Sequence, residues 1–284
     1  MSRLLWLGIV LCLLACEEKP LDLELPFEGP RIKVDGVLWE GRQAEVYLSR
    51  TTPPLDVTAD NFFLDGAHAF LFLADGSLVD SLQFQGRRRQ SSRYVSAGGY
   101  LPSRQEQYYL EISAPGMPSA RSEALAWPAA AALDSAALIW DKAGDRVTEI
   151  FARFSDDPAS DNYYQLVISA HYRTPLDTVL DVGSFIISNE DDFREGRVIF
   201  NRALSLSLKR SITIGEEELE LKEPEYLLLS LLSYGPGSES YFETIEGLDE
   251  EIGGFFPGNP FAPTNFDGGY GFLHTAAVDT VLFR

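Results

Sequence analysis

Cysteine is nearly absent from this chain, which holds only Cys12 and Cys16 in 284 residues. Histidine occurs three times, and 23 Lys and Arg face 43 Asp and Glu, for a formal net charge of −20. Each shortage closes a class of explanation. With Cys12 inside an apolar leader and Cys16 at its edge, no internal disulfide framework can form. The folded part must rest on its core, and at 45% hydrophobic residues one large or two ordinary domains can bury enough surface. The deficit of basic residues excludes a phosphate-backbone binder, because nothing would drive counterion release, so no nucleic-acid partner is expected. It also argues against the body lying flat on an anionic membrane. The one basic cluster, Arg87-Arg88-Arg89, stands between Gly86 and Gln90-Ser91-Ser92 and reads as a solvated hairpin tip.

The leader itself is informative. Arg3 is its only charge, and the apolar run over residues 4–14 is too short to span a bilayer as a mature helix. Leu13-Leu14-Ala15-Cys16 then turns at once into Glu17-Glu18-Lys19-Pro20, a lipobox pattern. In that chemistry the Cys16 thiol is acylated, residues 1–15 are removed as a signal peptide, and Cys16 becomes a lipidated N-terminus. Each buried methylene of the acyl chains contributes about 0.8 kcal/mol, so several chains hold a protein durably. An ordinary secretory signal ending by chance in cysteine is the competing reading. Residues 16–30, acidic and punctuated by Pro20, Pro26 and Pro30, form the expected tether.

Beyond it the hydropathy pattern is that of strands. Ala44, Val46 and Leu48 alternate with Glu45, Tyr47 and Ser49, the period-two signature of a half-buried strand. Residues 69–73 are apolar on both faces, as in a strand covered on both sides, and Ala74-Asp75-Gly76-Ser77 supplies a hairpin turn. Residues 108–112 make a further strand. Trp127-Pro128 and the alanines 129–132 look like a connector, after which strand patterns resume at 150–154, 164–170, 204–208, 216–223 and 226–233. One helix is expected, from Ser238 to about Ile252, with Tyr241, Phe242, Ile245 and Leu248 at helical spacing and Gly253-Gly254 as its stop. The expected architecture is mainly β, with two successive immunoglobulin-like β-sandwich domains over residues 31–127 and 133–284.

Motifs for chemistry are thin. His68, His171 and His274 lie in separate segments with no second ligand at metal spacing, and read as surface or strand-end residues. No Gly-x-Ser-x-Gly elbow is present, and acylation blocks Cys16 as a nucleophile, so no enzyme activity is expected. Two acidic loops invite calcium: one with Asp156, Asp157, Asp161 and Asn162, the other with Asn189, Glu190, Asp191 and Asp192. Neither has EF-hand order, and in so acidic a chain solvated turns are the favoured reading. Apart from the lipid on Cys16, no cofactor is expected. Gly268-Gly269-Tyr270-Gly271 lacks the Gly-Lys-Ser/Thr end of a phosphate loop; glycine there suits a tight turn packed closely beneath aromatic rings. The rings Phe255, Phe256, Phe261, Phe266, Tyr270 and Phe272 cluster around it. They are expected either as a loop folded over the second domain or as a contact surface, for which Phe261, Phe266 and Tyr270 are the candidates.

The order of several segments resembles a known family. Pro30-Arg31-Ile32-Lys33-Val34-Asp35-Gly36 is followed by Val46-Tyr47-Leu48-Ser49-Arg50-Thr51 and Asp65-Gly66-Ala67-His68-Ala69. Phe154-Ser155-Asp156-Asp157-Pro158 runs into Asn162-Tyr163-Tyr164, and the chain closes on Thr264-Asn265-Phe266-Asp267-Gly268-Gly269-Tyr270-Gly271-Phe272. Together these are similar to the Bacteroidota lipoproteins of domain of unknown function 4249. The resemblance implies an outer-membrane lipoprotein associated with a β-barrel partner, a TonB-dependent transporter, in nutrient capture or uptake. A structural subunit of an outer-membrane assembly is the alternative, and the family has no catalytic residues to carry over. Glu17-Glu18 after the lipid site resembles surface-export signals, which favours the cell surface over the periplasmic face.

Cys16→Ala is expected to block acylation and leave the protein unprocessed or released from the outer membrane. An alanine variant that still fractionates with outer membrane at normal mature mass would refute the anchor.

Overall fold

The computed structural model describes residues 27–53, 62–144, 146–156, 163–173, 178–187, 193–194, 196–214, 217–221, 223–252 and 263–284. The chain is mainly β, with one described helix near its C-terminus. The first half contributes β1 (Ile32–Trp39), β2 (Glu45–Arg50), β3 (His68–Leu73), β4 (Leu78–Arg88), β5 (Ser91–Ser96), β6 (Tyr108–Ser113) and β7 (Ala120–Ser122). The second half contributes β8 (Leu133–Trp140), β9 (Arg146–Ser155), β10 (Tyr163–Tyr172), β11 (Thr178–Ile187), β12 (Phe193–Arg194) and β13 (Arg197–Ser207). It continues through β14 (Arg210–Ile214), β15 (Glu217–Leu221), β16 (Tyr226–Tyr234), α1 (Ser238–Ile252), β17 (Phe266–Asp267) and β18 (Tyr270–Phe283).

Alternation decides which side of each strand is buried. In β1, Ile32, Val34 and Leu38 are solvent-free while Lys33, Asp35 and Val37 face the other way. The Asp75-Gly76 turn forms as expected: Gly76 takes a positive φ of 92° and Ser77 N–H donates to the Asp75 carboxylate at 2.8 Å. The β4–β5 hairpin turns at Arg89, whose φ of 52° lies in the left-handed region. In β3 only one face is fully covered. Ala69 and Leu71 are buried, whereas Phe70 and Phe72 are half-buried on the outside, Phe72 stacked on Tyr109 at 5.1 Å. The expected double cover is absent because no described layer lies over that face.

Twelve strands share one sheet, in the order β11-β10-β16-β18-β1-β2-β5-β4-β3-β6-β7-β17. Its nine-strand run from β18 to β17 begins and ends on neighbouring pieces of chain, separated only by Gly268-Gly269. That run must therefore curl back on itself, and it encloses a core of Ile32, Val34, Leu48, Leu71, Tyr94, Leu110, Ile112, Phe266 and Leu273 among others. At the other end, β11, β10, β16 and the upper part of β18 share a second core with the four-stranded sheet β12-β13-β9-β8, built on Val147, Ile150, Phe154, Tyr164, Leu166, Leu229 and Leu231.

The core changes near residues 128–132, and those residues are irregular, not helical. They are not a loose link, however. Trp127 packs on the first core and hydrogen-bonds Glu106 O at 2.8 Å, while Ala131 is buried in the second. Nor are the halves successive in sheet terms, because the last strand serves both. β18 pairs in parallel with β1 from Tyr270 to Ala276, then antiparallel with β16 from Ala276 to Phe283. Its length, about 45 Å, sets the first half at its start and the second at its end.

The glycines at the start of β18 allow this threading. A Cβ on Gly271 would sit 1.8 Å from Val34 O, and the residue holds φ at 96°. A Cβ on Gly268 would meet Ser119 O at 2.1 Å, and one on Gly269 would meet Ala120 Cβ at 2.7 Å. Gly271→Ala is expected to cost about 3 kcal/mol or more, since strain and clash coincide. Gly29, with φ at 100° and open space around it, should lose only about 1–2 kcal/mol on the same change. Equal losses in urea melts of the two variants would show that the close approach to Val34 is not what matters.

Candidate functional site

The C-terminal motif is assembled by side chains acting as backbone. Asn265 Nδ2 donates to Leu273 O at 2.9 Å, and Leu273 N–H donates to Asn265 Oδ1 at 3.0 Å. One amide thereby completes the free side of β18 as a neighbouring strand would. Thr264 Oγ1 donates to Gly271 O at 2.8 Å, and Glu123 N–H donates to Asn265 O at 2.9 Å. β17 then pairs Phe266 with Ser122 and Asp267 with Arg121. A shallow depression of about 260 Å³ follows this seam, lined by Arg121, Glu123, Thr264, Asn265 and Asp267 among others.

These contacts correct the expected contact surface. Phe266, expected to be exposed, is only 6% accessible and belongs to the first core. Its strand pairing with β7 turns the ring inward, and the segment folds onto the first half, not over the second. Tyr270 is half-buried, on the outer face in register with Lys33. Phe261, Phe255 and Phe256 lie outside the described residues, as does Cys16. Phe272 is buried, beneath α1.

The outer face of the sheet beside α1 holds the densest aromatic cluster among the described residues. At its centre is His274, buried to 1%. Its ring stacks on Phe242 at 4.6 Å and 9°, approaches Phe272 at 4.6 Å, and meets Tyr241 and Tyr234 edge-on at 5.1 and 6.0 Å. Nδ1 lies 2.8 Å from Ser238 Oγ, at the start of α1, and Nε2 is buried without a hydrogen-bond partner among the described residues. Burial drives the imidazole down to about 3 and the Tyr234 phenol up to about 12. Tyr241 is pushed up as well, by burial and then by the charge of Asp35. Asp35 keeps a solvent-accessible surface, yet the surrounding protein raises its carboxyl against the lowering charge of Lys33. The cluster is thus a neutral, dry joint that fastens α1 to β18.

The other candidates disperse. His171 is also buried, stacked on Tyr226 at 4.4 Å with Nδ1 3.4 Å from a Glu225 oxygen. His68, exposed at the first residue of β3, and His171, next to the last residue of β10, stand at strand ends as expected, though His171 is buried; His274 lies within β18 and is buried, against the expectation. The structure brings none of the three together. Asp156 accepts a hydrogen bond from Tyr164 Oη and its N–H donates to Gly196 O, while Asp157 and Asp161 lie outside the described residues. No group of three or more His, Cys, Asp or Glu suited to a metal occurs among the described residues. The His274 cluster was missed in the sequence because its rings come from three separate segments; Phe272 and His274 sharing one strand face was the signal at hand.

The family described as Domain of unknown function (DUF4249) matches residues 18–281, which takes in every described strand up to the last turn of β18. No curated protein matches the chain.

His274 links the joint to pH. The unfolded chain binds a proton below about 6.5, and the folded chain does not until about 3, so this contribution is complete above pH 6.5 and is lost as pH falls toward 3. Between pH 7 and 5 the wild type should lose about 2 kcal/mol of unfolding free energy through this group. His274→Phe should lose little over the same interval. Parallel pH slopes for the two proteins in urea titrations would count against this role.

Proposed function

The chain belongs to the DUF4249 family, and on that premise we propose that it is a non-catalytic, lipid-anchored outer-membrane protein that assists a β-barrel transporter. Support comes first from Leu13-Leu14-Ala15-Cys16 and the acidic residues after it, the pattern of an acylated N-terminus. The observation that carries the reading is the placement of the two halves along β18. The chain enters the fold at the start of β1, beside Tyr270, and the second core lies at the opposite end of that strand. A lipid-anchored protein built this way holds its second half well above the membrane, where a soluble ligand or the rim of a barrel is within reach. The buried histidines fit the same reading, since both are engaged in packing: His274 in the α1 joint and His171 against Tyr226.

The transporter as partner, and of the TonB-dependent kind, follows from the family resemblance, and the acidic pair Glu17-Glu18 favours the outer face of the membrane. Nutrient capture or admission is the role such a partner gives it.

Affinity purification from gently solubilised outer membranes tests the proposal. Stoichiometric recovery of a β-barrel transporter is expected. Recovery of an outer-membrane assembly machine in its place would support a structural subunit, and recovery of the protein alone would defeat the transporter reading.

A further inference from the structure

The arginine-rich hairpin tip carries more charge than its ion pairs among the described residues use. It sits at one particular end of the molecule. Ile32, the first residue of β1, is opposite Arg50, the last of β2; Leu48 is opposite Ser92 in β5, and Ser91 is opposite Arg88 in β4. Arg31, Arg50 and the tip Arg87–Arg89 therefore share one rim, with Arg31 and the tip about three strand spacings, roughly 15 Å, apart. Lys33, opposite Tyr270 at the start of β18, adds to it.

One arginine of the tip is spoken for, and on the rim Arg31 pairs with Glu28 at 3.3 Å. Arg87 forks onto Asp65 at 2.7 and 2.9 Å and lies over the Phe63 ring at 4.2 Å; Arg93, one strand turn inward, forks onto Glu45. These pairs stiffen the hairpin base. Arg88 reaches the Tyr47 hydroxyl at 3.0 Å and lies over its ring at 5.9 Å, with Glu45 near enough to feel its charge, and Arg89 stands at the left-handed turn. Both are exposed, and neither makes an ion pair among the described residues. Two cations with no ion pair among the described residues, on a stiff support at the rim where the chain enters from Cys16, stand out against a net charge of −20. Any connector between Cys16 and Phe27 reaches at most about 40 Å.

We propose that this rim is a membrane-docking surface whose ligand is the anionic headgroup of the lipid leaflet that holds the acylated Cys16. This rests on the lipoprotein reading and extends it. Acylation alone leaves the body free to swing on its tether; contact through Arg88 and Arg89, together with repulsion of the acidic remainder, stands it on end with the second half outermost. Arginine near an anionic surface gains about 1 kcal/mol, so neutralising both should weaken the contact roughly 30-fold.

The test uses the full acylated chain in vesicles, its lipid verified by mass spectrometry, with a fluorophore on Gln90→Cys at the tip or Glu223→Cys at the far end. Quenching by headgroup nitroxides reports distance from the surface. The tip label should quench strongly in vesicles containing phosphatidylglycerol, weakly in phosphatidylcholine alone, and the far label in neither. Arg88→Gln with Arg89→Asn, which keeps a residue tolerant of the left-handed turn, should abolish the lipid difference without changing the melting temperature. Tip quenching indifferent to lipid charge, or unchanged in the double variant, would overturn the docking surface while leaving the anchor intact. Tip protection seen only in native outer membranes and absent from pure vesicles would assign the rim to an acidic protein and overturn it also. A chain that carries no acyl group would overturn anchor and docking surface together.

Discussion

The close passage of Gly271 over Val34 O is the contact on which the remaining architecture depends. β18 must lie beside β1 in parallel, turn sharply out of β17, and continue for 14 residues to reach the second core. A side chain at Gly271 would hold it off β1, and the loss would not stay local. Leu273 would leave the first core, Asn265 would lose both of its backbone partners, and His274 would move from beneath α1. Because β1 comes near the start of the folded chain and β18 at its end, this pairing closes nearly the whole polypeptide. Such non-local contacts form late and slowly, so the first half is incomplete until the last strand arrives.

Two devices then protect a strand with so much to do. Along the lower part of β18, where β16 no longer reaches, Asn265 and Thr264 satisfy Leu273 and Gly271 with side-chain groups. Gly235 N–H donates to Thr275 O, and Thr275 Oγ1 donates to Ala126 O, which ties the connector to the same edge. A buried backbone group left unpaired costs about 1–3 kcal/mol, so these bonds matter as a set. On the outer face, α1 closes the strand with rings, not hydrogen bonds. His274 supplies a polar link there, through Ser238, and burial keeps it uncharged.

Much of this was legible in the residues. Period-two alternation located β2, β9, β10 and β16, the Asp75-Gly76 pair marked its hairpin, and the spacing of Tyr241, Phe242 and Ile245 marked α1. The glycines of the last motif were read as a tight turn packed beneath aromatic rings; the close approach is there, but to the backbone of Val34 and Ser119. What alternation cannot supply is partnership. Nothing in the pattern of β18 says that its first half belongs to β1 and its second to β16, and so the chain read as two sandwiches in succession. For the same reason Phe266 looked like surface: it stands among prolines and glycines, and only its pairing with Ser122 turns it inward. His274 was misplaced because an isolated histidine carries no mark of the rings that other segments bring to it.

Shared use of β18 also gives the molecule a direction. An ordinary pair of tandem domains can flex about its connector, and the orientation of one says little about the other. Here Trp127 and Ala131 are packed into different cores on either side of the connector, and a continuous strand spans both. Bending between the halves would break the ladder to β1 or the ladder to β16, so whatever orients the first half orients the second. The rim where β1 begins is the part of the first half nearest to the point of chain entry, and it is where Arg88 and Arg89 lie, with no ion pair among the described residues. A small electrostatic preference at that rim is therefore carried by a stiff strand to the far end of the molecule, about 45 Å away.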